Sequence, residues 1–254
     1  MSESLRKALL ILDVLRSSDA DLGARDLAGM VDIPKSTAQR LLRTLESAQM
    51  VVQDDVTRKY RLGPHTLTLG MAYRERLDLR NVALPHMRGL RDATDETVGL
   101  SVRIGASRLF IEEVQSQSEL RAQSELGYPY PLWTGAPGRV LLAALPADEL
   151  GRVLDGADDR AWRPVDPPSR KGLLEALERI RQCGHARARD ETIEGIGAVA
   201  VPVADASGPV AALSVSGPSA RMSGAALDRV VSYAAEAAAA ITRALGGRPE
   251  RRAG

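Results

Sequence analysis

The chain has 254 residues, 44% hydrophobic and 26% charged, a composition typical of one or two globular domains rather than of a disordered chain. The net charge of +1 at pH 7 counts mildly against a nucleic-acid partner, so any electrostatic footprint must be local. No apolar run approaches the roughly 18 residues of a membrane-spanning helix, and the N-terminus lacks a signal-peptide layout. The single cysteine excludes an intrachain disulfide and a cysteine-based zinc cluster, and the cytoplasm is the expected location.

The first part of the chain shows helical spacing of apolar residues, followed by two short alternating segments. The predicted elements are helices over 5–15, 24–31 and 35–48 and strands over 50–53 and 59–62. Ser4 is the predicted cap of the first helix, and Pro34 restarts the chain as a helix after a tight turn. This order of elements predicts a winged helix-turn-helix over residues 1–63.

The rest of the chain predicts a linker helix and a larger domain. We expect the linker over 64–81, a domain over 82–246 that opens with a helix at Pro85, and a disordered tail over 247–254. The domain's predicted strands are 97–104, 108–114, 120–124, 198–204 and 209–216. Its other predicted helices are 139–145, 147–154, 169–184 and 223–245, with loops over 127–138 and 155–168. Strands flanked by long helices indicate an α+β fold with a mostly antiparallel sheet.

The third predicted helix has a polar face opposite its apolar face, and this polar face carries one acid, Glu46, at its far end. Arginine can pair with guanine and glutamine with adenine in the major groove, while the helix N-terminus can hold a phosphate. Arg58 and Lys59 could reach flanking phosphates as a wing, although Asp54 and Asp55 share the same hairpin tip. The alternative is an ordinary solvated face. The predicted DNA-binding residues are Arg25, Lys35, Ser36, Thr37, Gln39, Arg40, Arg43, Thr44, Arg58 and Lys59.

Two patterns in the larger domain suggest a binding pocket. Tyr128, Tyr130 and Trp133 lie close together in one Gly/Pro loop of an aromatic-poor chain, which is typical of a pocket wall. The alternative is that they pack in the core or at a subunit contact. Ser214 and Ser216 alternate on one strand and therefore share a face, where they could bond a carboxylate or hydroxyl group unless that face is solvent.

Other candidates for chemistry are weaker. Cys183 and His185 could form a nucleophile and base, but a buried, inert cysteine is the favoured interpretation. Three acids could hold a cation, although a solvated loop is the simpler interpretation; they are Asp190, Glu191 and Glu194. The stretch 135–138 lacks the Lys-Ser/Thr of a phosphate-binding loop. We therefore predict no cofactor, no metal site and no enzymatic activity.

Seven segments match a known family in sequence and in order. They are Ser4–Leu12 (SLRKALLIL), Ile33–Leu45 (IPKSTAQRLLRTL), Tyr60–Gly63 (YRLG), Glu96–Val98 (ETV), Pro131–Ala143 (PLWTGAPGRVLLA), Asp190–Gly195 (DETIEG) and Ala212–Pro218 (ALSVSGP). In these segments the chain resembles the IclR family of bacterial transcription regulators over nearly its whole length. The resemblance implies an N-terminal winged helix, a linker helix and a C-terminal GAF-like domain that binds a small effector. It also implies a homodimer through the N-terminal domains, often a homotetramer through the C-terminal ones, and control of a catabolic or metabolic operon.

The resemblance also implies an effector cavity for an organic acid or an aromatic compound. Its expected lining, with the aromatic loop added, is Tyr128, Tyr130, Trp133, Gly135, Ala136, Pro137, Val199, Pro202, Ser214 and Ser216. Trp133 and Arg139 depart from the histidine and lysine that many members have there, so the pocket shape should differ. Within these segments, Arg139 is the basic side chain most suitably placed to neutralise an acid, or it is simply a surface residue.

These observations predict a sequence-specific, double-stranded DNA-binding repressor or activator controlled by a small effector. The recognition helices of a dimer would bind an imperfect palindrome. Two alternatives remain open. One is a small-metabolite enzyme with the winged helix as a protein-contact module, and the other is a structural or RNA-binding winged helix.

Overall fold

The computed structural model describes residues 2–75, 78–155 and 169–249. The chain divides into two compact units, Met1–Arg76 and Leu77–Gly254. The predicted loop over 155–168 lies outside the described residues from position 156 onward, and so does the predicted disordered tail from position 250 onward. Within the described ranges, no helix is both long and apolar enough to cross a membrane.

The first unit has the predicted winged helix-turn-helix fold. Its elements are α1 (Glu3–Arg16), α2 (Ala24–Met30), α3 (Lys35–Ser47), β1 (Val51–Gln53), β2 (Tyr60–Leu62) and α4 (Pro64–Glu75). The two strands form an antiparallel hairpin. Apolar side chains at helical spacing on the three helices meet around Ile11, Leu27, Leu42 and Val51, all fully buried. The core therefore fixes α3 by its apolar face and leaves its polar face outward.

Two local predictions in this unit were wrong in detail. The N-cap of α1 is Ser2, two residues before the predicted Ser4, and its side chain makes no capping bond. Pro34 is the N-cap of α3 rather than its first helical residue. The turn between α2 and α3 closes by two bonds, from the Ile33 N–H to the Ala28 carbonyl and from the Asp32 N–H to the Gly29 carbonyl, with Asp32 at positive φ. This Schellman-type turn sets where α3 begins.

The second unit is a six-stranded sheet with helices on both faces. Its helices are α5 (Asp78–Thr94), α6 (Gly135–Ala143), α7 (Ala147–Asp155), α8 (Arg170–Cys183) and α9 (Gly224–Ala244). Its strands are β3 (Thr97–Ile104), β4 (Ser107–Val114), β5 (Tyr130–Pro131), β6 (Ala186–Arg189), β7 (Ile196–Asp205) and β8 (Gly208–Pro218). The strand order is β5-β4-β3-β8-β7-β6, and every neighbouring pair is antiparallel. The predicted α+β fold with an antiparallel sheet is confirmed.

Strand alternation divides the interior of this unit into two cores. Val199 and Leu213 face α5 and α9 in the larger core. Their neighbours Ala200 and Ala212 face the opposite way, toward α6, α7 and α8. Because side chains on a strand alternate between faces, each strand supplies both cores. The face that carries α6 is also the face that bears Ser214 and Ser216.

Four predictions about elements of this unit need correction. Pro85 lies inside α5 rather than at its start, since the buried face of Ala83, Met87 and Leu90 holds the helix despite a missing hydrogen bond. Residues 120–124 form no strand, β6 was missed, and α6 starts four residues before the predicted Arg139. By contrast, α8 is capped as predicted, with the Gly172 N–H donating to the Ser169 side chain and Gly184 at positive φ.

An ion pair joins Glu96, the residue before β3, to Arg221 in the loop before α9. Arg221 donates from Nε and Nη2 to the two Glu96 carboxylate oxygens at 2.6 and 2.9 Å, which raises the pKa of Arg221. The Glu96 side chain is 5% exposed and that of Arg221 is 42% exposed. Gly217 leaves room for the carboxylate, because a Cβ there would lie 2.2 Å from Glu96 Oε2. The carboxylate therefore depends on Arg221 for its charge partner.

Arg221→Met is expected to lower the free energy of unfolding by about 2 kcal/mol, because it leaves the Glu96 carboxylate buried without its charge partner. This loss is smaller than for a fully buried pair, since the Arg221 side chain is partly exposed. Urea unfolding measures this change. Arg152→Met is the matched control, since Arg152 pairs with Asp148 where both side chains are more than two-thirds exposed, at 74% and 79%. Equal losses in the two variants would contradict the expectation.

Candidate DNA-binding surface and effector cavity

Helix α3 presents a polar face on which the basic side chains have no ion-pair partner within the described part of the chain. Its first turn carries no acid, and its N-cap, Pro34, makes no side-chain capping bond. Its first N–H groups are thus available to a phosphate. The exposed members of the predicted surface are Arg25, Lys35, Ser36, Gln39, Arg40, Arg43 and Thr44, with Thr37 half-buried. This arrangement suits major-groove binding, N-terminal end first.

The hairpin between β1 and β2 holds Arg58 and Lys59 exposed at its tip. The Asp54 carboxylate accepts bonds from the Thr57 N–H, the Thr57 hydroxyl and the Val56 N–H, which lowers its pKa. This carboxylate therefore shapes the turn, although its charge remains near the tip. Arg61, by contrast, pairs with Asp21 at 3.2 Å. Among the described basic residues of this hairpin, the two predicted wing residues, Arg58 and Lys59, have side chains that form no ion pair.

In the second unit, a cavity of about 60 Å³ lies on the α6 face of the sheet. It is built from β4, the loop after it, the N-terminus of α6 and the segment between β6 and β7. Its lining comprises Arg108, Phe110, Ala122, Gln123, Ser124, Tyr130, Gly135, Ala136, Pro137, Ala188, Glu191, Thr192, Ile193, Ile196, Ala198 and Ser216. Space of this size holds a few waters or one small organic molecule.

A buried arginine is the most unusual member of the lining. Arg108, only 2% exposed, has its guanidinium 4.8 Å from the centre of the Phe110 ring and 4.6 Å from that of Tyr130. Its Nε and Nη1 atoms are buried without a hydrogen-bond partner among the described residues. Burial lowers the pKa of Arg108 to about 10, so the side chain remains charged at neutral pH.

The N-terminus of α6 lies beside this arginine. Gly135 opens the helix at a φ of +67°, and a Cβ there would lie 3.0 Å from the Thr192 hydroxyl and 3.5 Å from Arg108 Nη2. The N-cap, Thr134, makes no capping bond, and its buried hydroxyl has no partner among the described residues. Glycine at this position therefore keeps open a space faced by three kinds of hydrogen-bond donor: guanidinium, hydroxyl and helix N–H.

The one carboxylate in the described lining is already neutralised. Glu191 accepts from Arg139 Nη2 at 2.8 Å and also from Arg139 Nη1. Of the other acids predicted as an alternative cation site, Asp190 accepts the Gly195 N–H in the same loop. Within the described residues, no cluster of three or more His, Cys, Asp or Glu side chains could hold a metal ion. Arg139 is therefore an ion-pair residue, and Arg108 supplies the cavity's unbalanced charge.

The structure brings five of the ten predicted effector residues to the cavity and places five elsewhere. Those that line it are Tyr130, Gly135, Ala136, Pro137 and Ser216.

Tyr128, Trp133 and Ser214 lie outside the lining. Tyr128 contacts Tyr130 edge-on at 4.9 Å, Trp133 packs in the core between α6 and α8, and the Ser214 hydroxyl donates to the Gly99 carbonyl. Pro202 lines a second cavity, formed by α8, α9 and the β7–β8 region, and Val199 lies in the core on the opposite face of the sheet. The neighbouring residue Ala198, on the other face of β7, lines the cavity.

Sequence reasoning missed the β4 contribution altogether. Arg108 and Phe110 are two residues apart on a strand and thus share a face, and Phe110 is the single phenylalanine of the chain. A charged residue on the same strand face as the single phenylalanine was a usable signal. Segment 122–124 carried no such signal, because its position depends on how a loop folds over the sheet, whereas residues 191–193 lie in the segment Asp190–Gly195 that the resemblance had marked.

Cys183 is exposed, so its predicted burial was wrong. Its thiol donates to the His185 carbonyl oxygen at 3.1 Å, and Nδ1 of the His185 ring lies 3.1 Å from the Cys183 carbonyl oxygen. Both of these contacts are made to backbone oxygens, whereas a nucleophile and base would pair thiol with imidazole.

A winged helix with an unpaired basic recognition helix, in a chain that also carries a cavity of small-molecule size, defines the class of ligand-responsive transcription regulators. Two family models match the chain. The IclR helix-turn-helix domain matches residues 4–55, and the bacterial transcriptional regulator IclR C-terminal domain matches residues 71–243. The chain therefore belongs to the IclR family. It is a transcription regulator with a DNA-binding and an effector-binding domain, and not an enzyme.

Curated relatives and solved structures agree with this assignment. The HTH-type transcriptional repressor AllR of Klebsiella pneumoniae is 32% identical over 98% of this chain and 92% of its own. The HTH-type transcriptional regulator XynR of Escherichia coli K12 is 31% identical over 96% and 97%. An IclR-family regulator from Brucella abortus superposes with a TM-score of 0.84 at 29% identity, covering 96% and 93%.

Proposed function

We propose that α3 enters the major groove of an operator with its N-terminal end first, and that the hairpin tip contacts phosphates beside it. The support is the exposed face from Lys35 to Thr44, which is basic, unpaired within the described residues and free of acid in its first turn. Base contacts come from Gln39, Arg40 and Arg43, and phosphate contacts from Ser36, Thr37, Arg58 and Lys59. This helix is the observation that carries the proposal.

Two copies of the chain bind the half-sites of an imperfect palindrome about one helical turn apart. Exposed apolar side chains on α1 and α4 support self-association in this unit; they are Leu5, Leu9, Leu67, Leu69, Met71 and Tyr73. We assign DNA binding to residues 1–63, linkage to 64–81, and effector binding and further assembly to 82–246. The protein acts in the cytoplasm, as a homodimer or homotetramer, on a catabolic or metabolic operon.

A small organic effector occupies the cavity lined by Arg108, Tyr130 and Gly135, and its binding changes the affinity for DNA. Coupling of this kind is typically worth about 1–3 kcal/mol, or roughly 5- to 150-fold in affinity. The cavity's volume and its mixture of apolar and polar walls support an effector the size of a small organic acid. An IclR homologue from Microbacterium hydrocarbonoxydans was solved with 4-hydroxybenzoate. It is 24% identical to this chain, with a TM-score of 0.77 over 96% of this chain and 99% of its own. That compound therefore belongs in the test.

Fluorescence anisotropy with duplex DNA from upstream of the protein's own gene tests the proposal. A scrambled duplex, a matched RNA duplex, two salt concentrations and a panel of small acids and aromatic compounds complete the design. We expect selective binding to the upstream duplex, weaker binding at higher salt and a shift caused by at least one compound. Absence of selective binding to duplex DNA under every condition would contradict the DNA-binding proposal, and preference for RNA would replace it. Sedimentation analysis at the same concentrations gives the oligomeric state.

A further inference from the structure

Lys7 on α1 directs its charge into the turn between α2 and α3. Its ammonium group donates to the Val31 carbonyl oxygen at 3.0 Å and to the Asp32 carbonyl oxygen at 3.4 Å. The Lys7 side chain is 16% exposed, whereas that of Arg6 beside it is 42% exposed. An ammonium group has three donors, so two of them are directed at backbone atoms of this turn.

The two carbonyls lie at the C-terminal end of α2, where a helix lacks internal partners. The last carbonyls of a helix accept no bond from within it and carry partial negative charge. Two N–H groups of the turn satisfy the carbonyls of Ala28 and Gly29, and Lys7 satisfies those of Val31 and Asp32. Val31 is buried, and a buried carbonyl without a partner destabilises the fold. A cation is therefore a favourable partner at this end of α2.

The same turn sets the direction in which α3 begins. Asp32 has a φ of +53°, a conformation that residues other than glycine rarely adopt and that the surrounding structure must hold. Pro34, two residues later, is the N-cap of α3, and its carbonyl accepts the N–H groups of Thr37 and Ala38. A different backbone conformation at Asp32 would therefore change the path by which the chain enters α3.

The core holds α3 less firmly at its N-terminal end than further along. Leu41 and Leu42 are buried against α1 and the rest of the unit's core, but no residue of α3 before Ala38 is buried. The N-terminal end is the part proposed to enter the major groove first. Its placement therefore depends on the turn before it, which Lys7 ties to α1.

A direct contact with a DNA phosphate is the alternative role for a basic residue on α1. The Lys7 ammonium already has two carbonyl partners, and the Glu3 carboxylate lies 4.0 Å from it. Loss of a phosphate contact reduces the salt dependence of DNA binding, because fewer counterions are then released. Loss of a contact that only positions α3 leaves the salt dependence unchanged. The two roles can thus be separated by measurement.

We propose that Lys7 is a positioning residue for DNA recognition. It holds the turn between α2 and α3, so that the N-terminal end of α3 meets the base edges of the operator in the correct orientation, and it does not contact DNA itself. This inference deepens the proposed function and rests on the major-groove role of α3.

Fluorescence anisotropy on the full chain tests the proposal, with the upstream and scrambled duplexes, several salt concentrations and a temperature well below the melting of every variant. Lys7→Met should lower the affinity for the upstream duplex about 10-fold, since misplaced base contacts are lost. Its affinity for the scrambled duplex and its salt slope should match those of the wild type. Lys7→Arg, which keeps the charge and the donors, should restore most of the affinity.

Hydrogen exchange without DNA measures the turn directly. Amides of residues 31–37 should exchange faster in Lys7→Met than in the wild type, because the turn has lost its tie to α1. Arg6→Met is the matched control, since it removes the same charge from α1 and Arg6 pairs with Glu3 rather than with the turn. It should change neither exchange nor DNA binding. If Lys7→Met does not fold, Lys7→Gln keeps N–H donors without the charge and should still lower the affinity for the upstream duplex.

Equal affinity of Lys7→Met and the wild type for the upstream duplex would overturn this inference and leave the proposed function standing. Weaker binding to both duplexes with a smaller salt slope would also overturn it, because Lys7 would then be a phosphate contact. The same losses in Arg6→Met would assign the effect to the charge of α1 and overturn it as well. Absence of selective binding by the wild type would instead defeat the proposed function, and this inference with it.

Discussion

Arg40→Ala should weaken binding to the specific operator about 10- to 100-fold while leaving affinity for a scrambled duplex close to that of the wild type. Arg40 is exposed on the outward face of α3, whereas Leu41 and Leu42 beside it are buried in the core. A bidentate arginine–guanine pair is worth about 1–3 kcal/mol of discrimination, which corresponds to this range. Fluorescence anisotropy on both duplexes measures it.

The wing provides the matched control for this effect. Arg58→Ala or Lys59→Ala should weaken binding to both duplexes by similar factors and reduce the salt slope by about one, as expected for a phosphate contact. Arg61→Ala should have a smaller effect, because Arg61 is paired with Asp21. If Arg40→Ala lowered the affinity for both duplexes equally, base recognition by this residue would be ruled out.

The elements with strong local signals were predictable from sequence. Helix α8 has a serine cap at one end and Gly184 in the left-handed conformation at the other, and both roles follow from residue type alone. The β7–β8 hairpin follows from two apolar runs separated by a short polar turn. The same kind of signal located the winged helix, whose core residues repeat at helical spacing.

Elements decided by tertiary packing were not predictable. Pro85 is a strong local signal for a helix start, yet α5 runs through it because Met87 and Leu90 on the same helix are buried against the sheet. Strand β6 has an exposed arginine at every second position, so its sequence shows only a small apolar face. Its pairing with β7 supplies the hydrogen bonds that define it.

The cavity residues also divide into those with a signal in the sequence and those decided by tertiary packing. The resemblance pointed to the segment at the α6 N-terminus, and its residues Gly135, Ala136 and Pro137 line the cavity. Arg108 was not found, because its importance comes from burial and from the absence of a partner among the described residues, which are properties of the fold. Val199 lies on the face of β7 opposite the cavity, whereas its neighbour Ala198 lines it, a difference of one residue in register.

Gly138→Ala is expected to lower the free energy of unfolding by about 3 kcal/mol and to abolish effector binding. Gly138 lies in the first turn of α6, where a Cβ would be 2.3 Å from the Leu132 carbonyl oxygen and 2.9 Å from its carbon. Both contacts are backbone atoms, so no side-chain rotation relieves them. The helix or the segment before it must move, and that segment carries Tyr130 into the cavity.

Gly151→Ala provides the matched comparison for this effect. Gly151 is also helical, in α7, but a Cβ there meets nothing within 4 Å. Alanine should therefore stabilise the protein by about 0.5–1 kcal/mol through helix propensity and leave effector binding unchanged. Urea unfolding followed by tryptophan fluorescence measures both variants, since Trp133 is buried in the core of the second unit. Changes of the same sign in the two variants would contradict the steric argument, because helix propensity alone predicts stabilisation at both positions.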